Sequence, residues 1–391
     1  MRTTLKSSFL DALLTVGMSG RESRGYNTQG DVLVSHSADG VDLDRIWGEI
    51  ATANELWNQQ RSALTRVLSF WTTNAADVIP QGIASESLEK ASEFGVPEAM
   101  RQPAVALPLG YTLDDFDSRS AFTWKFLRNS TASQIRAQAN LIMEADNKLI
   151  NGTILRRLFD PTEESNEFGH RCFGLWNGTD NTAPPPYMGK TFDTSHTQYF
   201  VSGNAQIDSA DVEDAINHIT EHGYGVTQGS QLLVLCNTVE ADFIAGWRAN
   251  VESRPSGPKA KFDFVPSTNA PAFLTDETII GKQAPATYEN LPVLGSYGRA
   301  WVIAHDYIPA GYVAVVASSG ANSPNNPIAV REHTNTNYRG LRVIPGAGRY
   351  PLQDAFYQRT FGVGTRHRGA ACVFQVKASG SYEAPTASIP V

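Results

Sequence analysis

Cysteine is scarce in this chain of 391 residues, and long apolar runs are missing altogether. Cys172, Cys236 and Cys372 each sit in an apolar or strand-like stretch, and no two share the spacing of metal ligands. Buried, reduced thiols of a cytosolic protein are therefore expected, not a disulfide framework. No stretch of about 18 apolar residues occurs, so no membrane span is expected. Charge is thin as well. Charged side chains make up 18% of the chain, with 32 basic against 40 acidic and a formal net charge of −8. This balance excludes a dedicated DNA-binding protein, which needs a dominant basic face. So little charge suits a surface largely covered by partners.

The motifs of common chemistries are missing too. There is no Walker phosphate loop, no Gly-x-Ser-x-Gly elbow and no His-Glu-x-x-His helix. The glycines of GVGTRHRG imitate a nucleotide loop, but a strand follows them where a helix N-terminus is required. Of eight scattered histidines, only His218 and His222 stand at helical i,i+4 spacing, and solvated histidines at a helix C-terminus explain them without zinc. The opening MRTTLKSSFLDALLTVGMSG imitates a secretory leader, but Asp11 breaks its apolar patch and no small-residue cleavage motif follows. No enzyme, metal or cofactor is expected from these residues.

What the chain does contain is a 41% apolar content, enough for a solid core, and a mixture of helical and strand patterns. Residues 41–71 carry Leu43, Ile46, Trp47, Ile50, Trp57, Leu64 and Trp71 on one helical stripe. Residues 103–128 alternate with period two on both sides of Asp114–Asp115–Phe116–Asp117–Ser118, which reads as a long hairpin turning at the acids. Phe122, Trp124 and Phe126 form the apolar face of its return strand. An isolated two-stranded ribbon is marginal in water, so that face needs a surface to lie on. A helix over 131–159 follows, opened by Thr131 with Gln134 and stopped by Pro161. Beyond it come strands over 170–202 around a proline-rich loop, and a helix from Ser209 to Gly223. The strands QLLVLCN, KFDFVP, ETIIG, PVLGS, AWVIAH, GYVAVVAS, PIAVREH, LRVI and ACVFQV complete the pattern. No regular βαβ alternation appears, which predicts an α+β fold.

Near the C-terminus, RTFGVGTRHRGAACVFQV (359–376) concentrates positive charge on an acidic chain. Between residues 331 and 368 stand seven arginines (331, 339, 342, 349, 359, 366, 368), no lysine, and only Glu332 and Asp354 as acids, a local balance of +5. Arginine without lysine favours planar, bidentate, partly desolvated pairing with carboxylates or phosphates.

Several phrases resemble the major capsid proteins of tailed bacteriophages, the Hong Kong 97-type shell fold, and most of all those of actinobacterial phages. They are ASEFGVPEAMR (91–101), RSAFTWKFL (119–127), YFVSGNAQIDSADVEDAINHITEHGYG (199–225), DYIPAGYVAV (306–315), NPIAVREHTNTNYRGLRVI (326–344) and YPLQDAFYQRTFGVGTRHRGAACVFQVKASGSY (350–382). The resemblance runs from about residue 20 to the C-terminus. It implies an N-terminal arm with the helix 41–71 over residues 1–100, and an extended hairpin loop over 101–130. A spine helix and peripheral domain would take 131–204, an axial domain 205–330, and return strands with a tail 331–391. The implied function is a structural protein that assembles as hexamers and pentamers into an icosahedral shell around double-stranded phage DNA, without sequence-specific binding. The implied partners are copies of itself, a portal protein, and separate scaffold or decoration proteins where these are used. No membrane and no cofactor are implied. The place is the virion capsid, assembled in the host cytoplasm. Lys125, the one hairpin lysine, stands near the base, which argues against covalent crosslinking. The resemblance also suggests that Arg359, Arg366 and Arg368 pair across subunit boundaries with the hairpin-tip acids Asp114, Asp115 and Asp117. An encapsulin-type compartment of the same fold and a β-rich enzyme are the alternatives.

Overall fold

Side-chain alternation on three strands decides where the core lies. The computed structural model describes residues 34–80, 95, 106–180, 182–184, 192, 196–226, 229–268, 283–346, 352–385 and 387–390. The opening segment, the 91–101 phrase apart from Gly95, the strand ETIIG and Arg349 lie outside them.

Helix α1 (Leu43–Gln59) stops earlier than its apolar stripe suggests. Ser62 takes extended backbone and its hydroxyl accepts the Thr65 N–H at 3.1 Å, which opens a separate helix α2 (Ala63–Leu68). Trp71 therefore falls on strand β1 (Ser69–Thr72). Strand β2 (Ala76–Pro80) pairs antiparallel with β3 (Ala106–Gly110), Val78 standing opposite Pro108. Strand β4 (Asp114–Thr123) and helices α3 (Trp124–Asn129) and α4 (Ala132–Phe159) follow.

The hairpin expected over 103–128 is thus replaced by another pairing. The strand 106–110 finds its partner earlier in the chain. Asp114, Asp115 and Asp117 lie along β4, not in a turn, and β4 pairs with the late strand β17 (Leu352–Thr365). Thr123 ends β4 and caps α3 by accepting the Phe126 N–H at 3.2 Å, so Trp124 and Phe126 are helical. Spacing of two residues fits a strand, but it fits a strand running into a capped helix equally well.

After α4 come the short strands β5 (Glu164–Ser165), β6 (Arg171–Cys172) and β7 (Tyr199–Val201), then helix α5 (Ser209–Thr220). Strand β8 (Gln231–Cys236) and helix α6 (Thr238–Ala245) lead into β9 (Phe264–Pro266), β10 (Thr287–Tyr288), β11 (Leu291–Pro292), β12 (Gly295–Tyr297) and β13 (Ala300–Ala304). Strands β14 (Tyr312–Ser318), β15 (Ile328–Glu332), β16 (Leu341–Pro345) and β18 (Ala371–Gln375) complete the set with β17. The α+β expectation holds.

Two compact units result. The smaller takes described residues up to Ala53 with Ser120–Asn140 and Pro345–Ala355. Its core gathers Leu43, Ile46 and Ile50 with Phe122, Leu127, Ala132, Ile135 and Ala139. Within this unit the start of α4 is capped from a distance: the Ala132 N–H donates to the Asp39 carboxylate at 3.1 Å. Only one arm of the expected Thr131–Gln134 box forms, the Thr131 N–H donating to Gln134 Oε1 at 2.9 Å.

The larger unit takes Asn54–Arg119, Leu141–Ile344 and Phe356–Val391. Its main sheet runs β7-β18-β14-β8-β13-β12-β9, with β8 and β13 parallel and β14 antiparallel to both β8 and β18. Leu232, Val234, Val313, Val315, Cys372 and Phe374 face a core shared with Val212, Ala215 and Ile219 of α5. The intervening Leu233, Leu235, Ala314, Val316, Ala371 and Val373 face the other way. There they meet α2, Ile154, Leu155, Leu158 and Phe159 of α4, and the second sheet β1-β15-β17-β16. Burial on both faces is why these strands read as unbroken apolar runs. Each fully buried Leu, Val or Phe contributes on the order of 1.5–3 kcal/mol. All three cysteines are free and buried in this unit.

One buried acid makes this unit pH-sensitive. Asp211 accepts the Asp208 N–H at 3.0 Å in the capping box of α5. Burial, and then the neighbouring Asp208 and Asp214 charges, push its pKa up to about 7, against the lowering pull of the Asp208 N–H. A raised carboxyl pKa means that the folded state holds the proton more tightly than the unfolded chain. The resulting stability is present near pH 4 and is lost as pH rises through 7. Asp211→Asn should therefore gain on the parent steadily between pH 4 and 7, in urea unfolding, and level off above. A stability difference that does not change with pH would contradict this assignment.

Candidate assembly interface

The six described arginines of the basic cluster find acceptors inside their own chain. Arg359 makes a bidentate pair with Asp146 of α4, one arm being Nη2 to Oδ2 at 2.7 Å, and both side chains are almost fully buried. Asp146 Oδ2 also accepts Trp57 Nε1–H at 2.8 Å. Arg331 donates to Glu167 at 2.6 and 3.0 Å and to the Tyr111 carbonyl at 3.1 Å. Arg368, 2% exposed, donates to the Asp180 carboxylate and to the Gly174 and Thr182 carbonyls, with Phe173 and Trp176 against its plane. Arg342 donates to Gln358 at 2.6 Å, and Arg339 to the His333 and Thr334 carbonyls at 2.8 Å each. Arg366 pairs with Asp77 at 3.4 Å and keeps about a third of its side chain exposed.

The cross-subunit pairing expected of Arg359 and Arg368 is corrected by this geometry. A guanidinium taken out of water needs its counter-charge beside it when the subunit folds. A partner reached only on assembly would come too late. Arg366 is paired with Asp77 more loosely. Asp115 accepts a hydrogen bond from Thr360, while Asp114 and Asp117 are exposed.

Two of these ties, Arg331 to the Tyr111 carbonyl and Arg366 to Asp77, meet at the base of the β2–β3 ribbon. Tyr111, fully buried, donates its hydroxyl to Asp77 at 2.7 Å, and burial followed by the Asp77 contact pushes its pKa upward. Asn166 Nδ2 donates to the Ala75 carbonyl at 2.9 Å, and its Oδ1 accepts the Phe168 and His170 N–H groups at 3.0 and 2.9 Å. Thr112 and Val363 exchange hydrogen bonds in both directions. The glycines of Phe361–Gly362–Val363–Gly364 allow this close approach. A methyl group on Gly362 would collide with the Thr112 carbonyl, and one on Gly364 would lie 2.7 Å from the Gly110 carbonyl. The GVG that imitates a phosphate loop is thus a bed for residues 110–113.

Of the apolar residues expected to face a neighbour, Phe122 belongs to the core of the smaller unit, 5.6 Å from the Trp47 ring. Phe126 packs on that core and Trp124 is half-buried, so the expected three-residue face does not exist. Large apolar side chains left in water stand elsewhere in the larger unit. Val78 of β2 is 67% exposed, and Phe168, beside the ribbon base, is 64% exposed. Sequence reading also missed His196, whose Nε2 lies 3.1 Å from His222 Nε2. Among the described residues no group of three or more His, Cys, Asp or Glu is placed to hold a metal, and no helix is long and apolar enough to cross a membrane.

No protein-family model and no curated protein matches the chain. Among solved structures, one from Mycobacterium phage Patience is 35% identical, with a TM-score of 0.70, covering 94% of this chain and 96% of that one. The capsid of a native GTA particle is 12% identical at TM-score 0.45, covering 82% and 92%. The SrpI encapsulin complex of Synechococcus elongatus is 13% identical at 0.42, covering 85% and 97%. Likenesses as distant as these last two carry no argument about function. The match to the mycobacteriophage structure spans nearly the whole of both chains. The chain belongs to the Hong Kong 97-type major capsid proteins of tailed bacteriophages. It is a structural protein of the capsid, not an enzyme, and its partners are copies of itself.

Breaking a buried pair by removing one member leaves an uncompensated charge and costs about 3–5 kcal/mol. Asp146→Ala should lose that much in urea unfolding, whether or not the chain has assembled. A loss below about 1 kcal/mol, the worth of an exposed pair, would show that Arg359 has another acceptor.

Proposed function

We propose that the chain forms hexamers and pentamers that close an icosahedral shell around double-stranded DNA. The β2–β3 ribbon would cross onto a neighbouring subunit. The observation that carries this reading is the ribbon itself. It is a two-stranded sheet with Val78 exposed, anchored firmly at its base. Such a ribbon is marginal alone in water and gains stability by lying on another surface. On this reading β2 and β3 belong to the extended loop, in place of the hairpin first expected over 101–130. Helix α4 is the spine, the β1-β15-β17-β16 sheet belongs to the peripheral domain, and the β8–β14 region to the axial domain.

Repeated heterologous contacts close rings and then a shell. Each contact is modest, at about 25 cal/mol per Å² of apolar surface buried, and repetition makes the whole durable. Asp114 and Asp117, exposed on β4, are carboxylates available to a neighbour. The net charge of −8 keeps the wall from gripping the nucleic acid it encloses. A portal protein, and scaffold or decoration proteins where used, are the further partners, with assembly in the host cytoplasm.

Electron microscopy and size-exclusion chromatography of the purified chain test this. Closed shells or hexameric capsomers are expected, with nuclease-protected DNA in native particles. Shells that protect no genome would instead indicate a compartment of the encapsulin kind. A monomer or dimer that neither salt, concentration nor added scaffold converts into shells would contradict the proposal.

A further inference from the structure

In the larger unit, every described guanidinium that is buried or half-buried has an acceptor, except one. Arg61, in the turn between α1 and α2, is half-buried and has neither hydrogen-bond nor ion-pair acceptor among the described residues. Its guanidinium carbon lies 3.4 Å from the Trp71 ring centroid. Stacking engages the face of the guanidinium and leaves its in-plane N–H donors unused. The group lines a cleft of about 210 Å³ with Trp57, Asn58, Trp71, Glu332 and Arg359. None of these supplies the missing counter-charge. Glu332 is the one carboxylate in the lining, and it stands beyond ion-pair distance. Arg359 is already committed to Asp146. Trp71 Nε1–H, also buried, lacks an acceptor as well. Burial lowers the Arg61 pKa, Glu332 opposes this, and Arg359 adds to it.

We infer that the Arg61–Trp71 cleft receives the carboxylate of an aspartate or glutamate from a second copy of this chain. A planar, half-desolvated cation stacked on an indole is matched by a planar anion that accepts two parallel N–H bonds. Acids outnumber bases by eight on the chain, so a second copy has carboxylates to spare, and the capsid surrounds each subunit with such copies. The inference rests on the assembly proposed above and goes further in naming the receiving cation. That cation is Arg61, not Arg359 or Arg368, whose own acids occupy them.

The test uses shells of the parent chain and of Arg61→Lys and Arg61→Gln. A carbodiimide couples an amine to a carboxylate only when the two are in contact, forming an amide as the activating group leaves as a urea. Arg61→Lys shells should yield covalent dimers whose mass-mapped junction joins residue 61 to an Asp or Glu, and unassembled subunits should not. Arg61→Gln should keep the parent's melting temperature as a free subunit within about 2 °C, yet release its shells at lower salt. Junctions to Glu332 of the same chain alone, no junction at 61, or Arg61→Gln shells as salt-resistant as the parent's would overturn the inference. If the parent itself forms no shells, the assembly proposal fails and this inference falls with it. Parent shells beside a negative junction map sink the cleft alone.

Discussion

A guanidinium leaving water must bring its counter-charge with it, and in this subunit that requirement ties the last long strand to what precedes it. Arg359 on β17 reaches the middle of the long helix α4 through Asp146, and Trp57 at the end of α1 donates to the same carboxylate. Arg331 on β15 holds Glu167 and the Tyr111 carbonyl, and Arg368 closes on Asp180 just past β17. Each pair costs desolvation and returns it only when geometry is good. Their contribution is therefore to specificity of arrangement more than to stability. They fix which strand lies beside which helix, while the apolar core supplies the driving force.

That division suits a protein whose work is mechanical. A shell subunit needs a body that does not deform when neighbours pull on it, and an arm that finds its surface elsewhere. The body is the two sheets, with α2 and the end of α4 in the core they share, and the larger sheet is buried on both faces. In the proposed assembly the arm is the β2–β3 ribbon, and the polar network of Asp77, Tyr111, Asn166 and Arg331 holds its root. Gly362 and Gly364 let residues 110–113 lie directly on β17, which joins arm to body by backbone contact. Positive charge on an acidic chain thus serves the subunit's own framework.

Much of this was legible from residue order. The long helix 131–159, the helix from Ser209 and the buried strands QLLVLCN, GYVAVVAS and ACVFQV stand where periodicity and capping put them. The ribbon was misread because local alternation reveals a strand and not its partner. Residues 106–110 pair with 76–80, a segment that ends in Pro80, is followed closely by Gly82 and reads as loose linker. The helix break at Ser62 was missed because the apolar stripe continues on both sides of it. Asp146 had a signal that could have been used. It lies four residues after Ile142 and three before Leu149, so an acid stands inside the apolar stripe of α4, a place that calls for buried donors and above all a cation. The partners of the arginines were otherwise closed to inspection, since each lies more than a hundred residues away except those of Arg339 and Arg342.

A side-chain-resolution cryo-EM map of the assembled shell tests the central claim most directly. The account predicts continuous density between Arg359 and Asp146 of the same subunit, with the β2–β3 ribbon lying on a neighbour. A ribbon folded back onto its own subunit, or Arg359 bridging to acids of another, would contradict it.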